Sequence, residues 1–151
     1  MSLLAGEAFI GVLAAFALER IYSWWRDNQT KGEIKESLRN ELERCVELLV
    51  GKGNLLPITI WNSTITSGDV KILPFDERRQ LSAIYFEIEN HNYEAKRVRD
   101  GAVIAQTGSG GRRLDGMPAP LAHWTKLSER LKKEEQVLRQ KISKLLEAAW
   151  W

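Results

Sequence analysis

The chain predicts an all-α protein: an N-terminal transmembrane helix followed by a small helical bundle built on a long antiparallel hairpin. Three observations predict it. An apolar run stands near the start of the 151 residues. Two long stretches repeat apolar residues at intervals of three and four, the period of a half-buried helix. Between those stretches lies a segment rich in glycine and proline.

The first element occupies positions 2–25. Ala8 to Leu18 carries no polar side chain. A bilayer asks for about 20 helical residues, a length reached by including Leu3, Leu4 and the stretch out to Trp25, with Glu7, Glu19 and Arg20 among them. Those charges stand towards the two ends, where long side chains can reach headgroups. Tyr22, Trp24 and Trp25 form an aromatic belt suited to the membrane interface. Arg20 stands just before it and Arg26, Lys31 and Lys35 follow it, whereas no Lys or Arg precedes the apolar run. Positive charge stays on the cytoplasmic side. The expectation is therefore a single-pass protein of the cell membrane with its N-terminus outside. Residues 1–27 would be the anchor and residues 28–151 a cytoplasmic helical domain.

Three other readings of the run stay open. A cleaved signal peptide could end at Ala15-Phe16-Ala17, although Glu7 stands where a basic region belongs. A buried core helix suits the length of the strictly apolar run. An interfacial helix fits less well, because the apolar residues go all round rather than along one face.

The same run carries a pattern for partners. Glu7, Gly11, Ala14 and Leu18 share one side of a helix, with Ala15 beside them. Gly11 and Ala15 make a small-xxx-small pair, which permits close approach of helices in lipid. Self-association through that face is expected; the alternative is that small residues are simply common in any span.

Thr30-Lys31-Gly32-Glu33 reads as a capping box opening the next helix, or as part of a helix continuous with the first. Ile34, Leu38, Leu42, Cys45 and Leu49 form its apolar stripe, and Gly51 and Gly53 stop it. Cys45, the single cysteine, rules out an internal disulfide and reads as a small buried hydrophobe. Residues 54–57 read as a loop. The β-branched stretch from Ile58 to Thr66 favours a strand by propensity. With no partner strand elsewhere it reads as a short helix stopped by Ser67-Gly68. Asp76 is expected to cap a long helix carrying Leu81, Ile84, Tyr85, Ile88, Asn92 and Ala95. A last helix from Leu121 to Ala148 carries Trp124, Leu127, Leu131, Leu138, Ile142 and Leu145 in a near-heptad row.

Several elements resemble those of a broad group of uncharacterised small bacterial and archaeal membrane proteins. These are Glu19-Arg20, the Leu38/Glu41/Leu42/Glu43 run, Trp61, Ser67-Gly68, Leu73, and Leu81, Tyr85, Ile88 and Asn92. The resemblance implies topology: one N-terminal span and a helical cytoplasmic domain. A more distant likeness is to the membrane-pore accessory of RNA-targeting CRISPR systems, which implies assembly into a ring. Relatives of that accessory are helical nucleases with an arginine four to six residues before a histidine. Arg79 before His91 and Arg113 before His123 do not fit that spacing.

Chemistry-bearing candidates are few. His91 and His123 fall on different helices and, with Glu87 or Glu94, could approach a metal-ligand set, but no ligand-type spacing links them. Gly108-Ser109-Gly110-Gly111 lacks the lysine-hydroxyl ending of a phosphate loop. Nine Lys or Arg against four Asp or Glu lie between Arg112 and Lys144, the acids being Asp115, Glu129, Glu134 and Glu135. Arg112, Arg113, Lys126, Arg130, Lys132 and Lys133 could contact a polyanion, though a charge run is more often a solvated helix face. The net charge of +2 gives nucleic acid little support. Trp150-Trp151 should be covered by the same domain, another subunit or the membrane interface.

No acid, base and nucleophile can be named together, so a non-enzymatic role without cofactor is expected. The leading expectation is a membrane-anchored, self-associating scaffold, small pore or accessory subunit. Its partners would be lipid, copies of itself and the other members of a larger membrane complex. The alternative is a tethered adaptor that recruits a cytosolic protein or nucleic acid through the basic side of the hairpin.

Overall fold

A computed structural model describes residues 3–107, 120–148 and 151, with side-chain environments from 12 to 101, from 125 to 148 and at 151. Among the described residues the fold is all-α. Helix α1 spans Leu3–Leu48, α2 Thr59–Ser67, α3 Phe75–Thr107 and α4 Pro120–Leu146, with a 3-10 turn over Asp69–Ile72. The glycine- and proline-rich segment and Trp150 lie outside the described residues. The chain divides into two compact units, Met1–Glu36 and Ser37–Trp151.

Helix α1 runs for 46 residues without a break, so Thr30 caps nothing. Its hydroxyl instead donates to the carbonyl of Arg26 at 3.0 Å, one turn back. The charged run beyond the aromatic belt is composed largely of good helix formers. Gln29 to Glu33 and Arg39 to Glu43 add bonds at i,i+4. The helix ends where Gly51 and Gly53 take positive φ values of 78° and 63°. There the Asn54 amide donates to the terminal carbonyl of Leu48 at 3.0 Å.

In the first unit every described residue from Val12 to Tyr22 is exposed. Yet no helix among the described residues is long and apolar enough to cross a membrane. The charges explain it. A stretch of bilayer length beginning between Leu3 and Glu7 takes in all of Glu7, Glu19 and Arg20. One beginning after Glu7 runs into Tyr22-Ser23-Trp24-Trp25. The transmembrane reading of this helix therefore finds no support in the fold.

In the second unit the core is built from Leu38, Leu42, Cys45 and Leu49 of α1 and its end. Leu81, Ile84, Tyr85, Ile88 and Ala95 come from α3, and Leu131, Leu138, Ile142 and Leu145 from α4. Helix α2 forms despite its β-branched residues because the tertiary setting outweighs propensity. It buries Trp61 and Thr64. The Thr64 and Thr66 hydroxyls bond carbonyls one turn back, at 2.8 and 2.7 Å. Gly68, at φ 82°, returns its N–H to Ile65 and stops the helix. Helix α3 begins one residue before Asp76, which lies inside the first turn with Glu77 rather than at the cap. There both carboxylates complement the helix dipole.

Helices α3 and α4 form the expected antiparallel hairpin. The level of each residue follows from its cross-helix partner. Glu87 meets Lys141 at 2.7 Å, and His91 lies 3.8 Å from Glu135. Glu94 and Arg130 line the same groove between the two helices.

Candidate functional site

Two buried polar clusters organise the second unit. The first is centred on Glu41, 6% exposed. Its carboxylate accepts from the backbone N–H groups of Ile60 and Trp61 at 2.8 and 3.1 Å, and from the Tyr85 hydroxyl at 2.9 Å. Ile58 supplies no side-chain cap to α2, so a carboxylate from α1 does so, where helix N–H groups and the dipole favour negative charge. Trp61 stacks on Tyr85 with centroids 4.7 Å apart and planes 2° from parallel. One turn along α1, the Cys45 thiol donates to the Pro57 carbonyl at 3.5 Å. Burial, then the nearby Glu41 charge, pushes that thiol up to about 12.

The second cluster holds the loop between α1 and α2. The Glu135 carboxylate, 1% exposed, accepts from the Gly53 N–H at 2.9 Å. His91 Nε2 lies 3.0 Å from the Asn54 carbonyl. A carbonyl only accepts, so this nitrogen carries the proton. Asn92 bonds both backbone groups of Leu56, at 2.7 and 2.9 Å, as a paired strand would. His91 Nδ1 and Glu135 Oε2 have no hydrogen-bond partner among the described residues.

Gly53 shows how tight this clamp is. A Cβ there would sit 3.3 Å from Leu131 Cδ2, in a conformation that L side chains rarely adopt. Gly53→Ala is expected to lower unfolding stability by about 1–2 kcal/mol, the cost of one left-handed residue with some crowding. Gly51→Ala, whose Cβ would meet nothing closer than 3.9 Å, should cost less. Urea denaturation of the two variants side by side reads the order.

Above His91 a groove of about 510 Å³ runs between α3 and α4. Glu87, Asn90 and Glu94 form its α3 wall; Arg130, Lys133, Glu134 and Lys141 form its α4 wall, with Val137 and Leu138 between. Tyr93 and Val137 stand 64% and 51% exposed at its mouth.

The residues singled out from sequence fall in three places. On α1, Ala14, Ala15 and Leu18 are exposed, and unbroken helix extends through positions 7 and 11. Arg20, Tyr22, Trp24, Trp25 and Arg26 are exposed as well, with the Tyr22 and Trp25 rings 6.3 Å apart. On α4, Lys126, Arg130, Lys132 and Lys133 are exposed, and Arg130 is paired with Glu134 at 2.7 Å. Arg112 and Arg113 lie outside the described residues. Trp151 finds a partner in its own chain: its indole N–H donates at 2.7 Å to the Leu145 carbonyl, which also accepts from the Ala148 N–H at 3.1 Å.

Glu135 is a correction. It belongs to the buried face of α4, not to the solvated charge run. The helix register also sets Glu135, rather than His123, level with His91. Among the described residues no group of three metal-ligating side chains converges. The signal that could have exposed both clusters was a carboxylate inside an apolar stripe: Glu41 beside Leu38, Leu42 and Cys45, and Glu135 between Leu131 and Leu138. No protein-family model, curated protein or solved structure matches the chain.

Proposed function

We propose that the protein is a membrane-anchored, self-associating helical protein that serves as a scaffold, small pore or accessory subunit of a membrane complex. One observation carries this reading: the apolar residues of α1 from Val12 to Trp25 are uncovered. Val12, Leu13, Phe16, Leu18, Ile21, Trp24 and Trp25 are each more than half exposed. A helix that is apolar all round requires a nonpolar surrounding, and each large side chain left in water forgoes roughly 1.5–3 kcal/mol of burial. Lipid meets that need. The uncharged stretch from Ala8 to Leu18 would occupy the interior, while Glu7, Glu19 and Arg20 reach the headgroups. Tyr22, Trp24 and Trp25 would lie at the interface. The Gly11/Ala15 face would bring copies together.

The adaptor reading ranks second. It is favoured by the exposed Lys126, Lys132 and Lys133 and weakened by the neutralising Arg130–Glu134 pair.

Flotation on a density gradient after an alkaline carbonate wash tests the anchor. The full-length chain should rise with the vesicles, and the double variant Leu13→Arg, Phe16→Arg should remain at the bottom. A wild-type chain that stays in the soluble fraction would remove lipid from the reading, leaving other copies as the cover for α1.

A further inference from the structure

The groove between α3 and α4 has sorted walls. The α3 wall carries Glu87 and Glu94 and no cation; the α4 wall carries Arg130, Lys133 and Lys141 against the single acid Glu134. Between the walls, and open to solvent, are the apolar surfaces of Tyr93 and Val137. We propose that this groove is an interface for a second copy of the chain, related by a twofold axis parallel to the hairpin. The proposal rests on the self-association reading and gives it a second contact, distinct from the Gly11/Ala15 face.

Charge complementarity selects both the occupant and the axis. A twofold contact sets the same surface against itself. If the axis lies across the hairpin, α3 faces α3 of the other copy and α4 faces α4, so acid meets acid and base meets base. If the axis lies along the hairpin, α3 faces α4 of the other copy at the same height. The height is already matched within each chain, because Glu87 bonds Lys141 at 2.7 Å, and Glu94 and Arg130 line the same groove. Each acid then meets a cation equivalent to its own cross-helix neighbour, and every such contact occurs twice.

The intrachain ion pairs do not compete strongly. Lys141 and Glu87 are 49% and 37% exposed, and Arg130 is 75% exposed. Pairs at such exposure are worth little and exchange readily. The charges fix orientation, and the apolar strip with Tyr93 and Val137 supplies the area that leaves water.

The test uses the full-length chain in a mild nonionic detergent and two variants. One, Glu87→Lys with Glu94→Lys, has two basic walls; the other, Arg130→Glu with Lys141→Glu, has two acidic walls. Circular dichroism on each checks that the bundle is retained. Each variant alone should dimerise at least tenfold more weakly than wild type by analytical ultracentrifugation. An equimolar mixture should recover a mixed dimer, since each wall then faces its opposite across the interface. Neither variant regains its own intrachain pair on mixing, so recovery reports the contact between copies and not repair of the fold. Variants that associate like wild type would overturn the groove contact while leaving self-association through α1 standing. Two weakened variants that fail to recover on mixing would overturn the charge pairing. A monomeric wild type would overturn the groove contact and the self-association reading together.

Discussion

Glu41→Ala is expected to lower the unfolding free energy by about 3–5 kcal/mol, because it strands three donors at once. The Ile60 and Trp61 N–H groups and the Tyr85 hydroxyl all converge on that carboxylate within 3.1 Å. A buried donor left without an acceptor costs roughly 1–3 kcal/mol. The sum is reduced because Glu41 also borders a cleft with Ser37, Asn40 and Arg44, through which water can reach part of the site. Two milder variants set a scale. Glu41→Gln keeps one acceptor but turns an amide NH₂ towards donors, and should cost about 2 kcal/mol. Tyr85→Phe removes one donor and leaves the cap of α2 intact, and should cost about 1 kcal/mol. Equilibrium urea unfolding in micelles, followed by far-ultraviolet circular dichroism, orders the three. A Glu41→Ala chain within about 1 kcal/mol of wild type would show that α2 does not depend on its cap from α1.

That cap marks where the sequence stops being legible. The hairpin could be read directly, because Leu81, Ile84, Tyr85 and Ile88 on one helix and Leu131, Leu138 and Ile142 on the other recur at helical spacing and are buried. The stop at Gly51 and Gly53 was equally plain, since both sit where positive φ is needed. The helix over Thr59–Ser67 was reached by elimination, and its cause was out of sight: the acceptor for its first N–H groups stands some twenty positions earlier. The capping box at Thr30 misled for the opposite reason. Its local pattern is sound, but a cap needs the chain to leave helical geometry, and nothing between Trp25 and Glu33 makes it do so. Composition groups Glu135 with its exposed neighbour Glu134, because it counts charges without regard to face. Helical phase separates the two by a sharp turn about the axis, one into water and one beneath the loop at Gly53.

The chain should lose stability in alkali earlier than its surface groups suggest, and the loss should begin with Cys45. In the unfolded chain the thiol gives up its proton near 9, whereas the folded thiol holds it to about 12. Across that window the unfolded state binds fewer protons, so unfolding becomes more favourable as pH rises. The stabilisation is whole below pH 9 and drains through the window. Tyr85 acts in the same sense from its ordinary value of 10 upward, held high by burial first and then by the Glu41 charge and hydrogen bond. Each group past its ordinary value removes about 1.4 kcal/mol per pH unit, so the two together remove roughly 3–4 kcal/mol by pH 11. Unfolding free energies at pH 8, 9.5 and 11 test this, with Cys45→Ala as the partner measurement. That variant should hold its pH 8 stability at 9.5 and decline only as Tyr85 takes over. A decline at 9.5 equal to the wild type's would clear the thiol of any part. Glu41→Gln should flatten the slope only partly, because burial, the larger cause at both groups, stays in place when the charge is gone.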